Sequence, residues 1–404
     1  MPASSSSARV AKRVVLHFPG FEQLDAPRHR VRYERAMQMT AKLWGLSAEV
    51  GALREDGHCP YFDIEATGGR ASEDGAWRTS SRFFVLDHDG IVSRLAQRPL
   101  LTRLGRGFRS AAVVVLEGGA FGYFRHAWRF GLFFVFPFLL VVLGLAISLA
   151  LAAYPSWLDL PVWHYPLGIA LGVAFFLKLF LPFSERYFTL HLFSDWEMAV
   201  AVARMDEAWI REWVEASAKA ARPAFDEDAD EYVITSHSMG SSMAVHTIGL
   251  LLEREPDLFA GKRVTFVTLG GAILQCGLLR SAKVLRSRVG TIARSRDLSF
   301  VEVQCLTDII SFYKSSVTAL TGHANVPSPR LIFLRIRNML EPERYRRIKR
   351  DFLRVHRQYV LGSDRRTNFD FGLMTAGPWP ATFFADVAPG RSLDDALASD
   401  YRAV

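Results

Sequence analysis

Residues 231–245, EYVITSHSMGSSMAV, constrain the fold of this 404-residue chain more than any other segment. Residues 232–235 have the apolar, β-branched composition of a buried strand, and the residues after Gly240 have the composition of a helix. Ser238 therefore lies at the apex of a tight strand–turn–helix connection. Ser236 and Gly240, two positions before and after it, are small, as such a turn requires.

This segment resembles the nucleophile elbow of the α/β-hydrolase family, G-x-S-x-G, with Ser236 in place of the first glycine. The resemblance covers roughly residues 14–90 and 192–360. It implies that Ser238 is a nucleophile and that the N-terminus of the following helix favours a developing oxyanion. The alternative interpretation is an ordinary helix with a serine at its N-cap.

Strands and helices alternate along the rest of the chain. Apolar strands are predicted at residues 13–18, 81–86, 232–235, 263–269, 300–306 and 330–336, and helices at about 29–44 and 192–221. This alternation predicts an α/β fold, α/β-hydrolase-like, with a mostly parallel sheet and helices on both faces. The predicted organisation is a flexible tail (1–12), the first part of the domain (13–102), an insertion (103–190) and the second part with the elbow (191–404).

Two apolar runs lie within the insertion. Residues 130–153 carry no charge, and residues 166–183 carry only Lys178. At about 1.5 Å per helical residue, the first run easily covers a bilayer core of about 30 Å. The pair predicts a two-helix transmembrane hairpin, with a buried or re-entrant helix as the alternative for the shorter second run.

The charges around these runs predict a topology. Residues 154–165, between the runs, contain no Lys or Arg and carry Trp and Tyr residues typical of a membrane interface. Five arginines lie between residues 103 and 129, and Arg186 follows the second run. By the positive-inside rule, the tip faces away from the cytoplasm. We therefore expect a multi-pass protein of the inner (plasma) membrane, with the lipid bilayer as partner and the catalytic domain in the cytoplasm.

The remaining catalytic residues are placed by the chain order that the family resemblance implies, which is serine, acid, histidine. Asp308 follows the second strand after the elbow, and His356 is the only histidine after the last strand. His323 is the alternative base. Without a catalytic role, Asp308 would be a helix N-cap and His356 a surface residue among arginines.

The same resemblance implies two backbone donors for an oxyanion hole. One is the N–H of Met239, directly after the nucleophile, and the other is the N–H of Phe21 in the LHFPGF segment after the first strand. The Pro19-Gly20 pair is equally typical of a simple turn at a strand end.

Composition excludes several other classes of function. The three cysteines are scattered without metal-ligand spacing, and no phosphate-binding or dinucleotide loop is found, so no metal and no cofactor are expected. The net charge is +8, and residues 344–357 are rich in arginine, but no nucleic-acid module accompanies them. A basic face held against an anionic leaflet and a solvated helix are both compatible with that segment.

The sequence therefore predicts a membrane-anchored serine hydrolase acting on ester or thioester substrates, lipids among them, through Ser238, Asp308 and His356. A non-catalytic membrane scaffold or binding protein with the same fold is the alternative. The two differ in whether Ser238 reacts covalently.

Overall fold

The computed structural model describes residues 9–55, 59–69, 76–387 and 391–394. The chain divides into two compact units, one comprising Met1–Ile91 with Ala201–Val404 and the other Val92–Val200. The first unit contains the sheet and the elbow, and the second contains the apolar runs. The second unit starts before and ends after the predicted insertion at 103–190.

A nine-stranded mixed sheet organises the first unit. Its strands are β1 (Lys12–Phe18), β2 (Ser47–Val50), β3 (Arg54–Glu55), β4 (Pro60–Gly68), β5 (Trp77–Val85), β6 (Glu231–His237), β7 (Val264–Leu269), β8 (Leu298–Cys305) and β9 (Arg330–Leu334). The side chains of β6 and β7 are buried throughout, as expected for strands covered on both faces.

The strands are ordered β2-β4-β5-β1-β6-β7-β8-β9, and β3 pairs with β4. From β5 to β9 all pairs are parallel, whereas β4 is antiparallel to β2, β3 and β5. The predicted α/β fold with a mostly parallel sheet is thus confirmed. Strand β1 lies between β5 and β6. After β1 the chain first builds the strands on the β5 side, and it later adds β6 on the opposite side of β1. Crevices at such a reversal are where open α/β sheets bind ligands.

Helices flank this sheet. In the first unit they are α1 (Ala26–Trp44), α2 (Asp89–Ala96, which continues into the second unit), α10 (Ala208–Ala221), α11 (Gly240–Arg254), α12 (Ile273–Gly277), α13 (Lys283–Arg294), α14 (Val317–Leu320), α15 (Ile336–Met339), α16 (Pro342–Ile348), α17 (Phe352–Arg357) and α18 (Phe371–Ala376). Side chains of α1, α15, α17 and α18 share one core cluster with Val15, Val267 and Val303 of the sheet. Helix α11 packs against α10 and α13.

The predicted helix at 192–221 is wrong in one respect, because two helices occupy this stretch. Helix α9 (Thr189–Arg204) is followed by Met205, which has a left-handed φ of 54°, and α10 begins at Ala208. The Arg211 guanidinium donates hydrogen bonds to the carbonyls of Met205 and Asp206, which stabilises the break. The apolar spacing continues across the break, so periodicity alone did not indicate it.

The second unit is helical where it is described. It contains α3 (Leu100–Leu116), α4 (Gly119–His126), α5 (Trp128–Ala152), α6 (Tyr154–Trp157), α7 (Tyr165–Ala174), a π-helical segment (Phe175–Phe180), α8 (Leu181–Glu185) and most of α9. Two continuous helical stretches, Trp128–Ala152 and Val162–Glu185, are long and apolar enough to cross a membrane.

Small residues let α5 and α7 approach closely. A Cβ added at Gly168 would lie 2.6 Å from the Ala152 carbonyl oxygen, and one at Gly172 would lie 2.4 Å from that of Ser148. Their outward faces carry large exposed apolar side chains, including Leu139, Leu149, Ile169 and Val173.

Candidate active site at the carboxyl edge of the sheet

The predicted site residues follow the carboxyl ends of adjacent parallel strands. Strand β1 ends at Phe18, β6 at His237 and β8 at Cys305. Phe21, Ser238 and Asp308 come one to three residues after these ends, at one edge of the sheet. This edge includes the β1–β6 boundary where the strand order reverses.

Ser238 has the strained backbone expected of an elbow apex. Its φ is 52°, in the left-handed region that non-glycine residues rarely adopt. Its N–H donates to the Leu269 carbonyl (3.2 Å), and its own carbonyl accepts from the N–H of Ala272 (3.0 Å). The end of β7 and the loop after it therefore hold the serine in this conformation, and its side chain is only partly buried.

Close packing explains the small residues on either side of Ser238. A Cβ at Gly240 would lie 2.2 Å from the carbonyl oxygen of Pro19 and 2.3 Å from that of Phe18. Ser236 replaces the first glycine of the motif, and its buried hydroxyl donates to the Val267 carbonyl of β7 (3.2 Å). The serine is accommodated because its polar atom has a partner in the neighbouring strand.

Asp308 and His356 form a buried hydrogen-bonded pair. His356 Nδ1 donates to Asp308 Oδ2 at 2.7 Å, and the His356 side chain is 4% and the Asp308 side chain 0% exposed. Asp308 Oδ1 accepts from the Ile310 N–H (3.0 Å) in a turn, so Asp308 does not cap a helix. His356 lies on α17 but is buried, so it is not a surface residue among arginines.

This pairing leaves Nε2 of His356 as the ring nitrogen that could accept a proton. Because Nδ1 donates to Asp308, Nε2 of the neutral ring carries a lone pair. Nε2 is buried and has no hydrogen-bond partner within the described residues. The Ser238 hydroxyl therefore does not donate to Nε2 in this structure. In enzymes without bound substrate, the hydrogen bond between nucleophile and base is often long or poorly aligned.

Gly270 connects the serine to the histidine. The Ser238 N–H donates a hydrogen bond to the Leu269 carbonyl. A Cβ on Gly270, the residue after Leu269, would lie 3.1 Å from His356 Cε1. Gly270 has a φ of 54°, so a side chain here would be both strained and obstructed. The end of β7 thus brings the elbow and the Asp308–His356 pair to the same place.

His237 lies beside His356, the predicted base. Its Nε2 donates to the His356 carbonyl (3.0 Å), and the two ring centroids are 4.8 Å apart. Burial, followed by the nearby His356, lowers the pKa of His237 to about 3. A neutral imidazole therefore holds the backbone of His356 without placing a positive charge beside its ring.

An ion-pair group connects the loop after β1 to the histidine helix. Glu22 accepts two hydrogen bonds from the Arg32 guanidinium (2.8 and 3.0 Å) and lies 3.3 Å from Nε of Arg357. Burial acts to raise the pKa of Glu22, but the two guanidinium charges outweigh it and lower the pKa to about 2. Glu22 remains ionised and ties its loop to the residue after His356.

The predicted oxyanion donors flank this arrangement. Met239 directly precedes α11, and its N–H makes no hydrogen bond within the described residues. Phe21 follows Gly20, where an added Cβ would lie 3.2 Å from Ser238 Cβ. The loop carrying Phe21 therefore runs against the serine.

The alternative base, His323, lies elsewhere. Its Nε2 donates to the Arg286 carbonyl (2.8 Å), and its ring packs against Gly290 of α13. The carboxylate of Asp308 is bonded to His356 and not to His323.

Three contributors were not predicted from the sequence, namely His237, Tyr359 and the Glu22 ion-pair group. The Tyr359 hydroxyl donates to Asp308 Oδ2 at 3.0 Å. Tyr359 is three residues after His356, so the helical spacing could have indicated a shared face. No comparable pattern connects Glu22 to Arg357, which are far apart in the chain.

Within the described ranges, no group of three or more His, Cys, Asp or Glu side chains is placed to hold a metal ion. Comparison of the chain with protein-family models, with curated proteins and with solved structures finds no match. The arrangement of Ser238, Asp308 and His356 at the carboxyl edge of the sheet is thus the feature that bears most directly on function.

Proposed function

We propose that this protein is a membrane-anchored serine hydrolase of the α/β-hydrolase type that cleaves ester or thioester bonds. One observation carries the proposal. The buried Asp308–His356 pair, with a lone pair on Nε2, lies at the sheet edge where Ser238 occupies a strained elbow. A nucleophile, a base and an orienting acid are the parts that serine catalysis requires.

In the acylation step, His356 Nε2 takes the proton of the Ser238 hydroxyl while Oγ bonds to the substrate carbonyl carbon. The carbonyl π electrons move onto oxygen, and the N–H groups of Met239 and Phe21 stabilise this oxyanion. When the tetrahedral intermediate collapses, the C–O or C–S bond to the leaving group breaks. The alcohol or thiol takes the proton from Nε2, and the acyl group stays on Ser238.

Deacylation repeats these transfers with water. His356 removes a proton from water as its oxygen attacks the acyl carbon, and the second collapse returns that proton to Ser238 Oγ. Asp308 holds the imidazole in the required tautomer and stabilises the imidazolium that forms in both steps. The free acid then leaves the site.

We propose that α5 and the stretch Val162–Glu185 form a transmembrane hairpin. Small residues at their mutual contact and large apolar residues facing outward are the arrangement that membrane helices use, because lipid and not water surrounds them. In the most apolar 18-residue segment of each helix, only 33% and 28% of the residues are buried. The core helices of water-soluble domains are mostly buried instead.

The charge distribution favours insertion with the tip of the hairpin outside. Residues 154–165 lack Lys and Arg, whereas Arg103, Arg106, Arg109 and Arg125 precede the hairpin and Arg129 lies in the first turn of α5. We infer an inner (plasma) membrane protein whose catalytic domain is cytoplasmic.

Anchoring in a bilayer favours substrates that dissolve there, so the proposed substrates are acyl esters, including lipids. A chain-length series of p-nitrophenyl esters tests this with the detergent-solubilised protein. We expect kcat/KM to rise from acetate to medium and long acyl chains, and Ser238→Ala to abolish the activity. Preference for acetate would contradict a lipid-facing site, and turnover unchanged by Ser238→Ala would contradict the serine mechanism.

A further inference from the structure

Tyr359 is a buried phenol that shares an acceptor with the proposed base. Its hydroxyl donates to Asp308 Oδ2 (3.0 Å), the same oxygen that accepts from His356 Nδ1 (2.7 Å). The third donor to this carboxylate, the Ile310 N–H, bonds to the other oxygen, Oδ1. The tyrosine and the histidine therefore donate to the same oxygen atom, which accepts both hydrogen bonds on its two lone pairs.

The fold holds Tyr359 firmly in this position. It lies in the short 3₁₀ helix Gln358–Val360, directly after α17, and it is fully buried. Its ring packs edge-on against His356, with 5.9 Å between centroids. A Cβ at Gly270 would lie 2.6 Å from the tyrosine ring, so the lack of a side chain there makes room for it.

We propose that Tyr359 is a positioning residue that tunes the Asp308–His356 pair and so sets the pH above which His356 acts as a base. This inference rests on the proposed function. A hydroxyl donor to Oδ2 stabilises the carboxylate charge and weakens its attraction for the imidazolium. Tyr359 thereby keeps His356 less basic than Asp308 alone would make it.

Several other titratable groups lie near the pair, and each keeps one protonation state. Burial is the main reason that the pKa of Tyr359 lies well above its ordinary value, so its hydroxyl keeps its proton and can donate. Burial likewise raises the pKa of the Cys305 thiol, which stays neutral. His237 is neutral, and Glu22 is ionised but paired with arginines. Within the described residues, the neighbouring titratable groups are thus Tyr359, Cys305 and His237, and Glu22, Arg357 and Arg32 form the ion-pair group near His237 and the histidine helix.

The test is the pH dependence of the rate at which a fluorophosphonate probe modifies Ser238. In the wild type this rate should fall at low pH as His356 becomes protonated. In Tyr359→Phe the fall should move to higher pH by about 0.5 to 1 unit, because part of one hydrogen bond to a charged group is lost. Tyr33→Phe is the matched control. It also removes a buried hydroxyl bond, to Thr375 (2.8 Å), but should leave the profile unchanged.

A second variant reverses the sign and guards against misfolding. Site-specific 3-fluorotyrosine at position 359 keeps the shape of the ring and donates more strongly, so the fall should move to lower pH. A profile that neither substitution moves, in a protein that is labelled at Ser238, would overturn this inference alone. A wild-type protein unlabelled at Ser238 at every pH would overturn the proposed function and this inference with it.

Discussion

At the scale of single residues, one carboxylate determines which histidine can act as a base. Asp308 is bonded to His356, whereas His323 is bonded to a backbone carbonyl of α13. A base needs an orienting partner on one ring nitrogen and a free lone pair on the other. Of the two histidines, His356 meets both requirements.

The two histidines therefore make a matched pair of variants. We expect His356→Ala to lower kcat by about 10⁴-fold or more, because the triad acts as a unit. His323→Ala should change kcat by less than about threefold, since an effect outside the reacting groups is small by comparison. Steady-state ester hydrolysis measures both, and a reversed order would transfer the role of base to His323.

Glu302 is a buried carboxyl group outside the mechanism. It lies opposite Thr268 in the β7–β8 pair, and burial raises its pKa to about 8 from an ordinary value of 4.5. Below pH 4.5 the group is protonated in both the folded and the unfolded chain. As pH rises from 4.5 to 8 the unfolded chain loses this proton first, so folding becomes less favourable.

Glu302→Gln should remove this pH dependence, because an amide does not ionise. Relative to the wild type, the variant should gain stability progressively between pH 4.5 and 8, on the order of a few kcal/mol in unfolding free energy. Thermal midpoints across this pH range measure the effect, with Glu49→Gln on the exposed side of β2 as the control. A constant difference at all pH values would show that Glu302 is not held neutral in the folded protein.

At the scale of elements, the buried parallel strands were predictable and the antiparallel ones were not. Strands β1, β6, β7, β8 and β9 are each rich in apolar, β-branched or aromatic residues, and each was predicted within two residues at its ends. Strands β2, β3 and β4 are short or contain charged and polar residues facing outward, so they lack this signal. Strand β4 pairs with β5, and β2 and β3 pair with β4, so these strands follow from pairing and not from local composition.

The site shows the same division. Ser238 is indicated by a local motif, and Asp308 and His356 by their order relative to the strands. Tyr359 and Glu22 act through contacts between segments that only the folded chain brings together. Periodicity does not encode such contacts.

The close packing of Gly240 in the elbow predicts how a substitution there changes stability. In Gly240→Ala the new methyl group would meet two backbone carbonyls of the β1 end, neither of which can rotate away. We expect unfolding free energy to fall by about 3 kcal/mol or more. Gly90→Ala in α2 is the control, since a Cβ there meets nothing within 4 Å, and it should change stability by less than about 1 kcal/mol. Equal melting temperatures for the two variants would contradict this packing.

At the scale of the whole molecule, the proposed hairpin makes the protein's location testable. A cysteine at the exposed Ser156, between the two apolar helices, should react with an impermeant maleimide in intact cells. A cysteine at the exposed Ala260 in the first unit should react only after permeabilisation. The three native cysteines are buried and should not interfere. Reaction at Ala260 but not Ser156 in intact cells would invert the topology.

The central claim is that Ser238 is a nucleophile activated by His356 and oriented by Asp308. Its most direct test is covalent modification of the full-length, detergent-solubilised protein by a fluorophosphonate, with the modified peptide identified by mass spectrometry. We predict one adduct per chain, located on Ser238, that is lost in Ser238→Ala and His356→Ala and retained in Ser242→Ala. A folded protein that gains no adduct, or gains it on another residue, would contradict the account and favour a non-catalytic membrane scaffold.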